Sequence, residues 1–237
     1  MTTLERRVST TAYHRYPVDK YWKLMRKIEP EIAAFTGISR EVPPWSEPEG
    51  GFADYWRSCG AFGFMVHLRH HGFPSPLLDW SRSLYIAAYF AFQENVTRNC
   101  AIYPFIEAPK NIAISDPSTP TIRMHGGYGV KTHERHFRQQ SAYTICVQRD
   151  SATKTWSFVS HESVFNDSSR SKTGICQNVL YKTVIASTER KKALQKFDRY
   201  GLNHFTLFGS EEALMNTLSY REFDYRPEGM DRITNDK

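Results

Sequence analysis

Residues 67–94 read HLRHHGFPSPLLDWSRSLYIAAYFAFQE, and they carry the densest structural signal in the chain. A histidine-rich helix end leads into a Gly72-Phe73-Pro74 turn, a short apolar piece and an alanine-rich helix. Polar or amphipathic side chains occupy the junctions: His70, His71, Ser75, Asp79, Trp80 and Ser81. A helix cap accounts for Asp79 or Ser81, but a cap does not require two histidines and a tryptophan beside it. A loop of this kind between rigid elements predicts a binding site.

Hydrophobic periodicity predicts helices on both sides of this loop. Residues 18–36 repeat apolar side chains at helical spacing, and a second helix is predicted over 52–71, ending at Gly72. A third helix is predicted over 82–93, with Leu84, Ala87, Ala88 and Ala91 on its packing face. Two more are predicted near the C-terminus, over 188–199 and over 210–219, the latter capped by Ser210.

The period then changes to that of strands, which are predicted at 101–106, 143–148, 155–159 and 179–185. Helices first and strands later indicate an α+β fold. The glycine-rich residues 124–129, MHGGYG, are predicted to form a loop, because no strand-to-helix pattern surrounds them. We expect a single domain over residues 1–225 and a polar tail over 226–237.

Composition limits the class of protein. The chain has 237 residues, of which 40% are hydrophobic and 14% aromatic, so it can bury a substantial core. The sequence contains no long apolar run and no signal-peptide pattern, so we expect no membrane contact. Its four cysteines are widely spaced, and we interpret them as reduced thiols of a cytoplasmic protein.

The net charge is +6 and the sequence pI is near 9.1. A solvated basic surface without a specific partner explains this excess. Alternatively, basic clusters mixed with aromatic residues favour a polyanion such as RNA. The candidate nucleic-acid contacts are Arg138, Arg170, Lys172, Arg190, Lys191 and Lys192.

Other chemistry finds little support in the sequence. His67, His70 and His71 share a helix face and are possible metal ligands, but His133 and His136 add only a pair without a zinc spacing, so we expect no metal. The phosphate-binding patterns G-x-x-x-x-G-K and G-x-G-x-x-G do not occur in the sequence. The G-x-S-x-G pattern of a nucleophilic serine is also absent.

The central stretch resembles the signature of the FRG-domain family, a bacterial group named for a Phe-x-Arg-Gly-type motif. The positions that carry the resemblance are His70, His71, Gly72, Pro74, Ser75, Leu77, Leu78, Asp79, Trp80, Ser81, Ala87, Ala88, Phe90 and Ala91. Two positions depart from it, since Pro76 replaces a usual Arg and Arg69 a usual Gln.

Two later segments are also similar to the family. RHFRQQSAYT, residues 135–144, resembles its Arg-then-Gln strand with Gln139 in the key place, and residues 194–214 resemble its closing helix, turn and helix. No Phe-x-Arg-Gly tetrad lies upstream, and Leu4 to Arg7 resemble the segment that follows it. We expect either that the chain begins downstream of the family's first strand or that this member has lost it.

The order of these motifs resembles that of ADP-ribosyltransferases. That resemblance implies an ADP-ribosyltransferase-like fold, which we expect as two small antiparallel sheets around a cleft, flanked by helices. It implies NAD as substrate, gripped by His70, Ser75, Asp79, Trp80, Ser81 and Arg135. Gln139 would then bond the nicotinamide ribose. Because an amide cannot act as a general base, either the acceptor must already be reactive or Glu134 must assist.

The resulting hypothesis is a protein that transfers ADP-ribose from NAD to nucleic acid or protein. Such a protein would act as a toxin or phage-defence effector, and a neutralising antitoxin would be a partner. The alternative is a non-catalytic module that binds a nucleotide or RNA. We also predict that His70, Ser75, Asp79, Trp80, Arg135 and Gln139 converge on one cleft.

Overall fold

The computed structural model describes residues 1–8, 15–46, 52, 60–93, 98–107, 118, 120–126, 134–165 and 178–225. Within these ranges the α-helices are α1 Thr3–Val8, α2 Val18–Thr36, α3 Ala61–His70, α4 Leu84–Gln93, α5 Arg135–Arg138, α6 Glu162–Phe165, α7 Arg190–Arg199, α8 His204–Phe208 and α9 Glu211–Ser219. A 3-10 turn, Ser187–Glu189, precedes α7, and a π-helical turn, Tyr220–Asp224, follows α9.

The strands in the same ranges are β1 Arg15–Pro17, β2 Leu78–Ser81, β3 Cys100–Ile102, β4 Phe105–Glu107, β5 Thr121–Gly126, β6 Ser141–Arg149, β7 Trp156–Val159, β8 Asn178–Leu180 and β9 Thr183–Ile185. The predicted α+β class is therefore confirmed. The chain divides into two compact units, and most of residues 1–181 belong to the first. The second unit comprises residues 81–103, 134–140 and 182–237.

The first unit is built on a five-stranded sheet in the order β1-β7-β6-β2, with β5 also paired to β6. Strand β6 is its centre, since every residue from Ser141 to Val147 is buried. Alternate residues of a strand face opposite sides of a sheet. Accordingly, Tyr143 and Ile145 join the main core with Trp22 of α2, while Cys146 joins a smaller cluster with Ile122.

The second unit is mainly helical. Helices α4, α7 and α8 bury a core of Ile86, Tyr89, Phe92, Leu194 and Leu207. The two-stranded ladder of β3 and β9 completes this unit. The predicted packing face of α4 is wrong for Leu84, which is 63% exposed, and is confirmed for Ala88, which is buried together with Ile86, Tyr89 and Phe92.

Two of the predicted strands are each divided into two shorter strands in the structure. Residues 101–106 and 179–185 each form two short strands, so that β3 pairs with β9 in the second unit while β4 pairs with β8 in the first. Pro104 lies at the break, because proline cannot donate to a ladder. Its carbonyl instead accepts from the Tyr181 amide at 3.0 Å.

Several helix ends follow the predicted local chemistry. Helix α3 ends before Gly72, whose φ of 80° is one that glycine adopts readily, and Ser210 caps α9 by accepting from the Ala213 amide.

The loop predicted at 124–129 is wrong for residues 124–126, which belong to β5, and residues 127–129 lie outside the described ranges. The N-terminal part of the predicted helix 52–71 and the tail from residue 226 also fall outside them.

Among the described residues, no helix combines the length and the apolar character needed to cross a membrane.

Candidate functional site

In the first unit, the turn that follows α3 is fixed from within the protein. Ser75 is completely buried, and its carbonyl accepts from the Leu4 amide at 3.1 Å while its own amide donates to Thr3 Oγ1 at 2.9 Å. Its hydroxyl oxygen accepts from the Leu77 amide at 3.3 Å. Ser75 thus ties the N-terminal helix α1 to the start of β2, a role that the sequence did not predict.

Strand β2 alternates its side chains between two environments, as a strand must. Asp79 is exposed, and its Oδ2 accepts from Arg69 Nε at 2.8 Å. Arg69 comes from the last turn of α3 and its side chain is only 17% exposed, so the ion pair closes the turn around Gly72. The position where Arg69 departs from the family pattern therefore holds the cation that orients Asp79.

Trp80 is half-buried and held on two sides. Its Nε1–H donates to Thr144 Oγ1 at 2.8 Å, and its ring lies 5.1 Å from the ring of Phe105 at an angle of 30°. Thr144 Oγ1 in turn lies 3.0 Å from His161 Nε2. The indole therefore presents a fixed orientation before any ligand arrives, which is what a stacking platform requires.

His70 is anchored to the same central strand. Its Nε2 lies 2.8 Å from the hydroxyl of Tyr143, a residue that is fully buried in β6. His67, one turn earlier, is paired differently, with its Nδ1 3.2 Å from the Arg40 guanidinium. Burial, followed by the charge of Arg40, lowers the pKa of His67 to about 4. His67 is therefore neutral at physiological pH.

In the second unit, Ser81 meets the segment that carries Gln139. The Ser81 hydroxyl donates to the Gln139 carbonyl at 2.9 Å, and its oxygen accepts from the Ser83 amide at 3.2 Å. Helix α4 is capped by Ser83, whose Oγ accepts from the Ile86 amide, so the prediction that Asp79 or Ser81 forms this cap is wrong. Ser81 is instead the residue that holds Gln139 in place.

Gln139 terminates α5 directly before β6. Its amide N–H donates to the Arg135 carbonyl at 2.9 Å, and its side-chain Nε2 lies 3.4 Å from the Leu207 carbonyl. The next residue, Gln140, adopts a φ of 48° and its carbonyl accepts from the Arg82 amide at 3.0 Å. The positive φ of Gln140 therefore makes a tight turn directly after Gln139.

Arg135 and Glu134, the predicted NAD-binding and assisting residues of this segment, have distinct surroundings. Arg135 is half-buried at the first position of the helix. Glu134 precedes it with a side chain that is 79% exposed, and its Oε2 accepts from Arg138 NH2 at 2.9 Å. A general base is commonly tuned by burial and by its neighbours, whereas Glu134 is exposed and paired with Arg138.

The predicted nucleic-acid contacts separate into groups. Arg190 donates to the Phe92 and Gln93 carbonyls at 2.7 and 3.1 Å, so it satisfies the C-terminal end of α4. Arg138 is paired with Glu134. Lys191 and Lys192 are exposed, and Arg170 and Lys172 lie outside the described ranges.

The predicted convergence of six residues on one cleft remains a prediction. His70, Ser75, Asp79 and Trp80 belong to the first unit, whereas Arg135 and Gln139 belong to the second. Three residues that hold the site were missed: Tyr143, Thr144 and His161. The first two lie on a strand that the sequence did predict, but only tertiary structure brings His161 beside them.

Residues 6–100 match the family model described as FRG domain. This match includes residues 67–94 and confirms the resemblance to the FRG-domain family seen there. The two later motifs, at 135–144 and 194–214, lie beyond the matched range. No curated protein and no solved structure matches the chain.

Metal chemistry has no candidate centre among the described residues, where no cluster of three or more His, Cys, Asp or Glu side chains could hold an ion. Of the four cysteines, Cys100 and Cys146 are described, and neither is part of a disulfide.

His161 makes the support of Trp80 sensitive to pH. Burial lowers the pKa of His161 to about 4, below the ordinary value of 6.5. The unfolded chain therefore binds more protons than the folded chain between these two values. We expect the free energy of unfolding to fall as the pH falls through this window, by about 3 kcal/mol for this group.

Urea unfolding of the wild type and of His161→Gln across this pH range checks this expectation. The difference in stability between the two proteins should shrink as the pH falls, because the variant has no imidazole to protonate. The contribution of His67 is common to both proteins and cancels in the difference. A difference that stays constant from pH 6.5 to about 4 would show that His161 does not titrate there.

Proposed function

We propose that this protein is an ADP-ribosyltransferase that uses NAD as substrate and transfers ADP-ribose to a macromolecule. The observation that carries the proposal is the 2.9 Å hydrogen bond from the Ser81 hydroxyl to the Gln139 carbonyl. It joins the last residue of the Asp79-Trp80-Ser81 motif to the residue that the family resemblance places at the nicotinamide ribose. The two motifs are 58 residues apart in the chain.

The role of Gln139 in the transfer would be electrostatic stabilisation of the transition state. In the transfer, the bond between the nicotinamide nitrogen and the ribose C1′ breaks, and nicotinamide leaves with the electron pair. Positive charge develops on the sugar, and the acceptor attacks C1′ and then loses its proton. The amide oxygen of Gln139 would accept from a ribose hydroxyl and stabilise this charge, provided that it is already oriented before the bond breaks. Ser81 and the turn at Gln140 are positioning residues for it.

Trp80 and Asp79 would bind NAD. The indole is held by Thr144 and can offer its exposed part to a ring of the nucleotide, while the carboxylate of Asp79 can accept from ribose hydroxyls. The hydrogen bond from Arg69 fixes the orientation of the Asp79 carboxylate. The hydrogen bond between His70 and Tyr143 holds the C-terminal end of α3 against β6.

The second candidate function is a nucleotide-binding or RNA-binding module without transfer activity. It is favoured by the amide at position 139, which cannot remove a proton, and by the exposed pairing of Glu134 with Arg138. In this case the same residues would bind NAD or a related nucleotide without breaking its glycosidic bond. A toxin or defence role, with a neutralising protein partner, follows only from the first function.

Mass spectrometry of acceptors distinguishes the two functions. The chain is incubated with NAD and a mixture of RNA, DNA and protein acceptors, and with free ADP-ribose in a parallel reaction that detects non-enzymatic glycation. We expect ADP-ribose adducts that need both NAD and the chain. Calorimetric binding of NAD with no adduct on any acceptor would favour the binding module.

A further inference from the structure

Helix α7 carries a row of basic residues on its outer face. Lys192, Lys196, Arg199 and Tyr200 occupy positions i, i+4, i+7 and i+8, so they form one continuous face, here called the basic stripe. All four are exposed, with the Lys192 side chain at 80%. The opposite face of the helix packs Leu194 and Phe197 into the core of the second unit. The basic stripe is therefore held rigidly by the packing behind it.

The charge of the stripe is only weakly compensated. Glu189 lies 3.9 Å from Lys192, an exposed pair of the kind that contributes little. The other acidic residue of this region, Asp198, is occupied by two bonds from Arg221 at 2.7 and 2.8 Å and by one from Asn203. Among the described residues, Lys196 and Arg199 have no acidic partner within ion-pair distance. A net positive row remains on a fixed helix.

An aromatic ring closes the row. Tyr200 ends α7 and is 76% exposed, which is unusual for a large aromatic side chain. A second exposed ring, Tyr85, is 67% exposed. It packs edge-on against Phe197, which lies one helical turn before Tyr200, and the two ring centroids are 6.4 Å apart. Exposed rings beside a row of cations provide stacking surfaces next to phosphate contacts, and this is the combination that single-stranded nucleic acids use.

We propose that the basic stripe binds single-stranded nucleic acid. Phosphates would contact Lys192, Lys196 and Arg199, and a base would stack on Tyr200. Duplex nucleic acid keeps its bases stacked internally and could not use the ring. An amphipathic helix binds an anionic membrane through an apolar face turned outward as well as through its charge, whereas the apolar face of α7 is buried in the core.

Fluorescence anisotropy with a labelled oligouridylate tests the proposal, using the full chain. The triple variant Lys192→Gln, Lys196→Gln, Arg199→Gln should bind at least about tenfold more weakly. Its plot of log affinity against log salt should be flatter by about 2, since each phosphate neutralised on a single strand contributes about 0.7 to the slope. Tyr200→Ala should weaken binding by about fivefold or more, while Tyr200→Phe keeps the ring and the affinity.

A matched control removes the same charge elsewhere. Lys20, Arg26 and Lys27 are exposed cations of α2 in the first unit, and their triple substitution by Gln should leave the affinity and the salt slope unchanged. The proposal is overturned if the wild type does not bind the oligonucleotide, or if both triple variants lose affinity equally. It is also overturned if Tyr200→Ala binds as the wild type does, or if phosphatidylserine vesicles are bound in preference to the oligonucleotide.

The stripe deepens the proposed function by naming the class of acceptor, but the two proposals fail separately. Hydrolysis of NAD, in which water attacks the ribose C1′ in place of an acceptor and nicotinamide leaves, should be equally fast in the wild type and in the stripe variant. Absence of nicotinamide release in every protein, both with water alone and with the acceptor mixture present, would end the transferase proposal and leave the anisotropy result intact. Equal oligonucleotide binding by wild type and stripe variant, with nicotinamide still released, would end the stripe proposal alone.

Discussion

Gln139→Ala is expected to lower the rate of nicotinamide release from NAD by about 100-fold, because it removes a fixed dipole from the place where charge develops. The effect should fall on kcat, since the interaction strengthens only as the glycosidic bond breaks. Binding of NAD, measured by calorimetry, should change little. The truncation removes the side-chain bond to the Leu207 carbonyl but keeps the bond to Ser81, which the main chain at position 139 carries.

Two further variants separate this role from a general effect on structure. Gln139→Glu has nearly the same shape and supplies a carboxylate, so it should release nicotinamide at least as fast as the wild type. Ser219→Ala, at an exposed serine of the second unit, serves as a control and should be silent. Equal loss of activity in Gln139→Ala and Gln139→Glu, or a loss confined to KM, would contradict the role assigned to the amide.

Trp80→Ala is expected to weaken NAD binding by about fivefold to 100-fold, the range that stacking of one base on an aromatic ring provides. Trp80→Phe keeps a ring but loses the Nε1–H that donates to Thr144, so its affinity should lie between those of the wild type and Trp80→Ala. Calorimetric titration with NAD and with ADP-ribose measures both effects.

Thr144→Val tests whether the orientation of the indole matters as well as its presence. This variant leaves the indole Nε1–H without its acceptor, at a cost of about 1–3 kcal/mol in the free energy of unfolding. NAD affinity should fall with it. Trp45→Ala, at a half-buried tryptophan beside Trp22, is the matched control, since it removes the same side chain elsewhere in the first unit. If Trp45→Ala weakens NAD binding as much as Trp80→Ala, the effect is one of stability.

The features that the sequence predicted well are those with a local cause. Gly72 and Ser210 end and begin their helices through the conformation or hydrogen bonds of the residues themselves. Strand β6 was predicted over 143–148 because β-branched and aromatic residues are concentrated there, namely Tyr143, Thr144, Ile145 and Val147. The break at Pro104 was a local signal too, and it should have divided the segment 101–106.

The features that the sequence did not predict depend on distant pairs. Trp80 and Thr144 are 64 residues apart, and Thr144 and His161 are 17 apart, so no spacing rule connects them. The burial of Ser75 depends on the docking of α1, which periodicity did not indicate. Arg190 was predicted as a surface contact because its charge is visible in the sequence, whereas the carbonyls that it satisfies are not.

Release of nicotinamide from NAD by the purified chain is the measurement that tests the central claim most directly. The experiment uses NAD labelled in the nicotinamide ring and compares the wild type with Gln139→Ala at saturating NAD. We expect free nicotinamide to accumulate with the wild type and to fall by about 100-fold in the variant. If NAD binds to the wild type but nicotinamide is not released, with or without nucleic acid present, the protein is not a transferase.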